Sequence, residues 1–155
     1  MSRVFSDLST ASYHSPGHPE SPERVSRSHE RLKAAGHAIL LPSSAASAED
    51  VALLHGPRHF QRVKDGNYQD ADTPHYPGIE KIALTSLSGA LSAAASAAAG
   101  EPAFSLMRPP GHHAGKDRVA GFCYFNNLAL ACENLFVAKK VSRIAIIDVD
   151  VHHGD

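Results

Sequence analysis

Apolar and polar positions alternate between strand-sized and helix-sized blocks along the chain. Residues 3–5 read as a short first strand. Ser21-Pro22-Glu23 reads as N-cap, first-turn proline and first-turn acid, opening a helix that closes at Gly36. Residues 38–41 form a short apolar run of strand length. Ser47, with Asp50 three positions on, fits a capping box before Val51, Leu53 and Leu54, with Gly56 as the stop. A short helix is expected over 58–64, then a polar, turn-rich stretch over 65–77 that reads as an exposed loop. Residues 77–99 look like one long helix ended by Gly100, its many small side chains allowing a neighbour to approach closely. A strand is expected over 103–107 and a helix over 126–140, with apolar residues at 128, 130, 135 and 137. The continuous apolar run 144–147 reads as a strand buried on both faces.

Strands alternating with helices imply βαβ units: an α/β fold with a mostly parallel sheet flanked by helices. At 155 residues, one domain is expected over 1–155. Ligands of such sheets bind at the carboxyl ends of the strands. Two His-His pairs, His112-His113 and His152-His153, each follow a predicted strand, so the topology brings them to one edge.

The bulk numbers narrow the class. A formal net charge of −1 leaves no electrostatic footprint for nucleic acid or an anionic membrane. The 19 uncharged residues 82–100 are mostly Ala, Ser and Gly, too weakly apolar for a membrane span. No apolar signal segment opens the chain, and Cys123 and Cys132 suit a reducing compartment. The expectation is a cytoplasmic protein. Its 11 histidines are an unusual number for this length and are the first hint of chemistry.

Two segments carry that chemistry. In an extended chain Asp148, Asp150 and His152 share a face while Val149 and Val151 share the other. Two carboxylates and an imidazole at a strand end outline a divalent metal site; solvated acids and a loop histidine are the plain alternative. Three ionisable groups directly after a buried apolar run are costly unless paired or metal-bound. The second segment, Arg108-Pro-Pro-Gly-His-His-Ala114, makes a stiff turn that presents adjacent imidazoles, the natural acid–base groups near neutral pH. A polar surface loop is its alternative.

These motifs resemble a known family. RPPGHHA, GFCYFNN (121–127) and DVDVHHGD occur in the order and spacing of the histone deacetylase superfamily, nearest its class II and bacterial acetylpolyamine amidohydrolase branch. Upstream, His18-Pro-Glu-Ser-Pro-Glu-Arg24 resembles its HPExPxR stretch, and Asp72-Thr-Pro its acidic loop. The resemblance implies the three-layer arginase/deacetylase-like fold and a zinc-dependent amidohydrolase acting on acetyl-lysine or acetylated polyamines. Asp150 and His152 match two zinc ligands, and His112 and His113 the tandem catalytic histidines. Asp148 matches the carboxylate behind the first histidine and Asp155 the one behind the second. Asp148 also matches a ligand of a structural potassium, with carbonyls of Asp150 and His152. Gly121 and Phe122 match a wall of the acyl-lysine tunnel, Asp72 the rim acid, and Arg24 an internal-channel arginine. Cys123 lies beside that wall, but Thr73 stands where some relatives place a partner cysteine.

The family's third zinc-ligand aspartate and its carbonyl-polarising tyrosine match nothing here. The resemblance therefore implies the N-terminal half of a catalytic domain, a truncated fold inactive by itself, with homo-oligomerisation open. Two other functions stay open: an arginase-like di-manganese hydrolase, and a non-catalytic module that binds a partner or acylated ligand. His153 is expected to be structural. His14, His29, His37, His55, His59 and His75 are expected at the surface or in loops.

Overall fold

The computed structural model describes residues 2–155. Its sheet is parallel and three-stranded, in the order β2-β1-β3. The strands are β1 (Arg3–Phe5), β2 (Ile39–Leu40) and β3 (Ala103–Ser105). Val4 pairs with Ile39 on one side and Phe104 on the other. Val4 and Phe5 are buried, as residues of a central strand covered by helices should be.

Helices α1 (Glu23–Ala34), α2 (Ala48–Val51), α3 (His59–Asp65), α4 (Ile79–Ala98) and α5 (Asn127–Val137) make the connections. The predicted capping box opens α2: Ser47 Oγ accepts from the Asp50 N–H, and Asp50 Oδ2 accepts from the Ser47 N–H at 2.8 Å. The α2 helix ends at Val51, five residues before Gly56. Pro22, not Ser21, occupies the N-cap of α1, and no side chain caps it. Asn126 caps α5 by accepting from the Ala129 N–H at 3.1 Å.

The α4 helix is the spine of the fold. Its buried serines return protons to the preceding turn, Ser88 to the Leu84 carbonyl at 2.7 Å and Ser92 to the Ser88 carbonyl at 2.8 Å. The same hydroxyls accept from the Ala46 and Ser43 N–H groups, which fastens the loop before α2. Close approach is used at Gly89, where a Cβ would stand 2.6 Å from Ser105 Oγ. The core gathers Val51, Val63, Ile79, Leu87, Tyr124, Phe125 and Leu130.

Three expectations need correction. Residues 144–147 form no strand: Ile146 and Ile147 are 53% and 84% exposed. A strand buried on both faces needs a hydrogen-bonded neighbour and a covering layer, and among the described residues this run has neither. It borders an apolar groove of about 720 Å³ between α4, β3 and α5. The loop over 65–77 is not simply exposed, because Thr73 is 1% exposed and packed beneath residues 121–124. His55 and His59 are core residues rather than surface ones. Among the described residues no helix is long and apolar enough to cross a membrane.

Candidate active site

The turn 108–114 is held from beneath by its first residue. Arg108 is fully buried, and its guanidinium forms an ion pair with Glu20, also buried. Its Nε donates to the two Glu20 oxygens at 2.9 and 2.8 Å, and its Nη1 to the Thr10 and Tyr13 carbonyls. Tyr13 adds its ring face, 3.9 Å from the guanidinium carbon. On the far side, Ser86 donates to the Pro109 carbonyl at 2.8 Å, and Asn127 Nδ2 donates to the same oxygen at 3.1 Å. The turn leaves β3 already fixed at both flanks, with His112 and His113 at its tip.

The two imidazoles lie 4.1 Å apart between centroids. His112 Nδ1 donates to Asp148 Oδ2 at 2.8 Å. His113 Nδ1 lies 3.5 Å from Asp155 Oδ2, and Arg118 pairs with that same oxygen at 2.6 Å. The Asp155 N–H donates to the His112 carbonyl at 2.8 Å, which sews the last residues to the turn. The hydrogen bond at His112 Nδ1 fixes that ring's tautomer, and the Asp155 carboxylate faces His113 Nδ1, which leaves both Nε2 atoms for proton transfer. A Cβ at Gly121 would stand 2.3 Å from His113 Cδ2, so the wall can approach the second ring only at glycine, whose φ is +52°.

Asp148, Asp150 and His152 do not converge as one set. Asp148 turns to His112, while His152 Nδ1 donates to Asp150 Oδ1 at 2.9 Å. Hydrogen bonds hold both carboxyls below their usual range. The Asp150 N–H and then His112 do so at Asp148, and the His152 N–H and then its ring at Asp150. Among the described residues no three His, Cys, Asp or Glu side chains form a metal-holding group. Asp150 and His152 are adjacent donors of the right chemistry for zinc, two of the three that a catalytic site takes from protein. His113 and His152 rings meet edge to face at 5.9 Å, so these donors adjoin the histidine pair. An open trough of about 400 Å³ runs past His112, Asp148 and Asp150.

Other predicted residues spread outward. Phe122 takes the left-handed φ of 70° and meets His18 edge-on at 4.9 Å. Asp72 is exposed, its carbonyl accepting from His18 Nε2 at 3.2 Å. Arg24 is exposed on α1, and among the described residues its side chain makes no ion pair. His153 is exposed. Burial pushes the Cys123 thiol up to about 12, so it stays protonated at neutral pH.

Sequence reading missed two supporting pairs. Glu20 and Arg108 sit inside the quoted motifs, but nothing in those motifs says that residues 88 positions apart meet. His55 and His59 stack at 4.3 Å across the turn between α2 and α3, where no helical spacing announces the contact. His55 Nδ1 donates to the Gly115 carbonyl at 2.9 Å while Nε2 accepts from the Asn126 N–H at 3.0 Å. His59 Nε2 donates to the Tyr124 carbonyl at 2.8 Å. The pair thus ties both site loops to the core. Burial, then the His59 neighbour, lowers the His55 pKa to about 4.

Comparison with known proteins completes the picture. The family model for the histone deacetylase domain matches residues 18–155. A histone deacetylase-like amidohydrolase of Pseudomonas aeruginosa is 38% identical over 149 residues, covering 90% of this chain and 39% of its own length. The acetylpolyamine amidohydrolase of Mycoplana ramosa is 49% identical over 86 residues, 55% of this chain and 25% of that one. The chain thus spans less than half the length of these curated relatives. In fold it is similar to the crystal structure of the HDA15 HD domain, with a TM-score of 0.78 at 24% identity, covering 88% of this chain and 43% of that one. Motif order, family match and fold agree: the chain belongs to the histone deacetylase family.

Proposed function

We propose that this chain supplies the histidine pair and part of the metal-binding set of a zinc-dependent amidohydrolase that removes acetyl groups from lysine side chains or polyamines. The observation that carries the reading is the twin pairing of His112 with Asp148 and His113 with Asp155 beside the Asp150–His152 donors. Two imidazoles, each with a carboxylate at Nδ1 and a free Nε2, suit a reaction that takes one proton from water and gives one to an amine. Asp150 and His152 would be two of the zinc donors. Bound zinc would supply a water of lowered pKa and polarise the acetyl carbonyl.

His112 or His113 accepts the proton of the attacking water at Nε2, its imidazolium held by the carboxylate at Nδ1. The imidazolium so formed gives that proton from Nε2 to the leaving nitrogen, and acetate and a free amine result. Gly121 and Phe122 form one wall around the acyl chain, and Asp72 lies at the rim. Arg24, exposed on α1, would face an internal channel, and Asp148 with the carbonyls of Asp150 and His152 would hold a potassium ion. Similarity to both a histone deacetylase-like amidohydrolase and an acetylpolyamine amidohydrolase supports both substrate classes.

The test is acetate release from an acetyl-lysine peptide and from an N-acetylated polyamine, by the zinc-loaded protein and its His113→Ala variant. Removing an acid–base group should cost on the order of 10²–10⁴-fold with zinc retained. His113→Ala activity within about threefold of wild type, or no acetate release from either substrate by the zinc-loaded wild type, would sink the reading.

A further inference from the structure

Phe122 carries a backbone conformation that its side chain resists, and a set of hydrogen bonds from a separate loop holds it there. A φ of 70° is uncommon for any residue other than glycine, and persists only where the surroundings over-determine it. The Phe122 N–H donates to Thr73 Oγ1 at 2.8 Å. The Thr73 hydroxyl, having one proton to give, donates it to Asp70 Oδ2 at 2.6 Å. That same carboxylate oxygen accepts from the Gly121 N–H at 3.3 Å. Two consecutive backbone N–H groups of the wall therefore end on one Asp–Thr pair. Thr73 is 1% exposed, so water does not compete for these bonds.

The neighbouring contacts point the same way. The Tyr124 hydroxyl donates to the Pro74 carbonyl at 2.5 Å, clamping the loop just past Thr73. His18 presses its edge on the Phe122 ring and bonds the Asp72 carbonyl. Phe122 is thus fixed by the 70–74 loop at its backbone and by His18 against its ring.

We propose that Asp70 and Thr73 are positioning residues that set the Phe122 ring, and with it the aperture admitting the acyl chain; the aperture part rests on the deacetylase reading. Neither residue touches the reacting atoms. Loss of the latch frees the 121–122 peptide to leave its left-handed state, the ring moves, and substrate is held less well while the histidine pair is untouched. The signature is a raised KM with kcat preserved.

The experiment compares Thr73→Val with Thr73→Ser and Asp70→Asn in the full-length protein. Valine keeps the shape of threonine and removes both the acceptor and the donor; serine keeps both. Amide hydrogen exchange at Gly121 and Phe122 should quicken about tenfold or more in Thr73→Val, less in Asp70→Asn, and not in Thr73→Ser. On an acetyl-lysine peptide, KM should rise at least about threefold in Thr73→Val with kcat within about twofold. Unchanged exchange in both Thr73→Val and Asp70→Asn overturns the proposal. Faster exchange with unchanged KM overturns the aperture role. A wild type that releases no acetate, with Phe122 exchange still quickened only in the latch variants, upholds the positioning and overturns the deacetylase reading instead. Should Thr73→Val fail to fold, Asp70→Asn against wild type carries the exchange test by itself.

Discussion

Glu20→Gln should cost the protein about 3–5 kcal/mol, because it strands a buried guanidinium. Arg108 is 1% exposed, and its donors are all spent inside one pocket. Nε reaches both Glu20 oxygens, Nη1 the carbonyls of Thr10 and Tyr13 at 3.2 and 3.3 Å, and Nη2 the Glu20 carbonyl at 3.0 Å. The Tyr13 hydroxyl donates to Glu20 Oε2 at 2.9 Å. Burial, then the Glu20 charge beside it, pushes this phenol far above its ordinary range, so it stays a donor. Glutamine keeps an acceptor oxygen but removes the charge that offsets the arginine in a water-excluded site. Against a total of roughly 5–15 kcal/mol for a typical domain, the loss leaves little margin. At about 2–4 °C per kcal/mol for this size, the melting temperature should fall by roughly 6–20 °C. Urea unfolding followed by circular dichroism measures the free-energy loss and a thermal melt the shift in temperature, with Arg108→Met and the double variant Glu20→Gln/Arg108→Met alongside. The double variant removes the stranded charge and should recover most of the loss, giving a coupling of about 2 kcal/mol or more. A Glu20→Gln curve within about 0.5 kcal/mol of wild type, or strict additivity in the cycle, refutes the reasoning.

Acid should destabilise the fold through His55. Its folded pKa of about 4 lies below the unfolded 6.5, so the stabilisation is present above about 6.5 and is lost as pH falls toward 4. His59, also lowered by burial, adds in the same direction. Melts should fall between pH 7 and 4.5, more steeply than for His55→Gln; parallel curves for the two proteins would contradict this. The exposed run at Ile146 and Ile147 should make a polypeptide of residues 1–155 self-associate, and Ile147→Lys should reduce it. Light scattering across a concentration series checks this, and a monomeric 1–155 polypeptide at all concentrations refutes it.

Where the sequence was readable, one local rule decided the outcome. The capping box at Ser47 and the small-residue packing of α4 each follow from a few neighbouring residues. The 108–114 and 121–127 motifs likewise place two histidines and a glycine wall together, because a stiff turn and a close approach are local demands. Residues 144–147 went the other way. Their apolarity speaks for burial, but burial is granted by neighbours, and here Ile147 faces solvent. Thr73 and His55 were unreadable for the converse reason: polar residues in polar surroundings become core only when distant N–H groups and carbonyls meet them. Arg108 and Glu20 show the same limit, since charge gives no sign of its partner. The convergence of Asp148, Asp150 and His152 failed because a period of two holds only while the chain stays extended, and it bends at Asp150.

The metal set is where the functional reading is most exposed. Zinc content per chain, measured after dialysis of the full-length wild type and of Asp150→Ala and His152→Ala, tests it directly. One zinc in the wild type and none held tightly in either variant is the expected result, since removing a donor leaves too few for a catalytic zinc. One zinc per chain in both variants, unchanged from wild type, would contradict it.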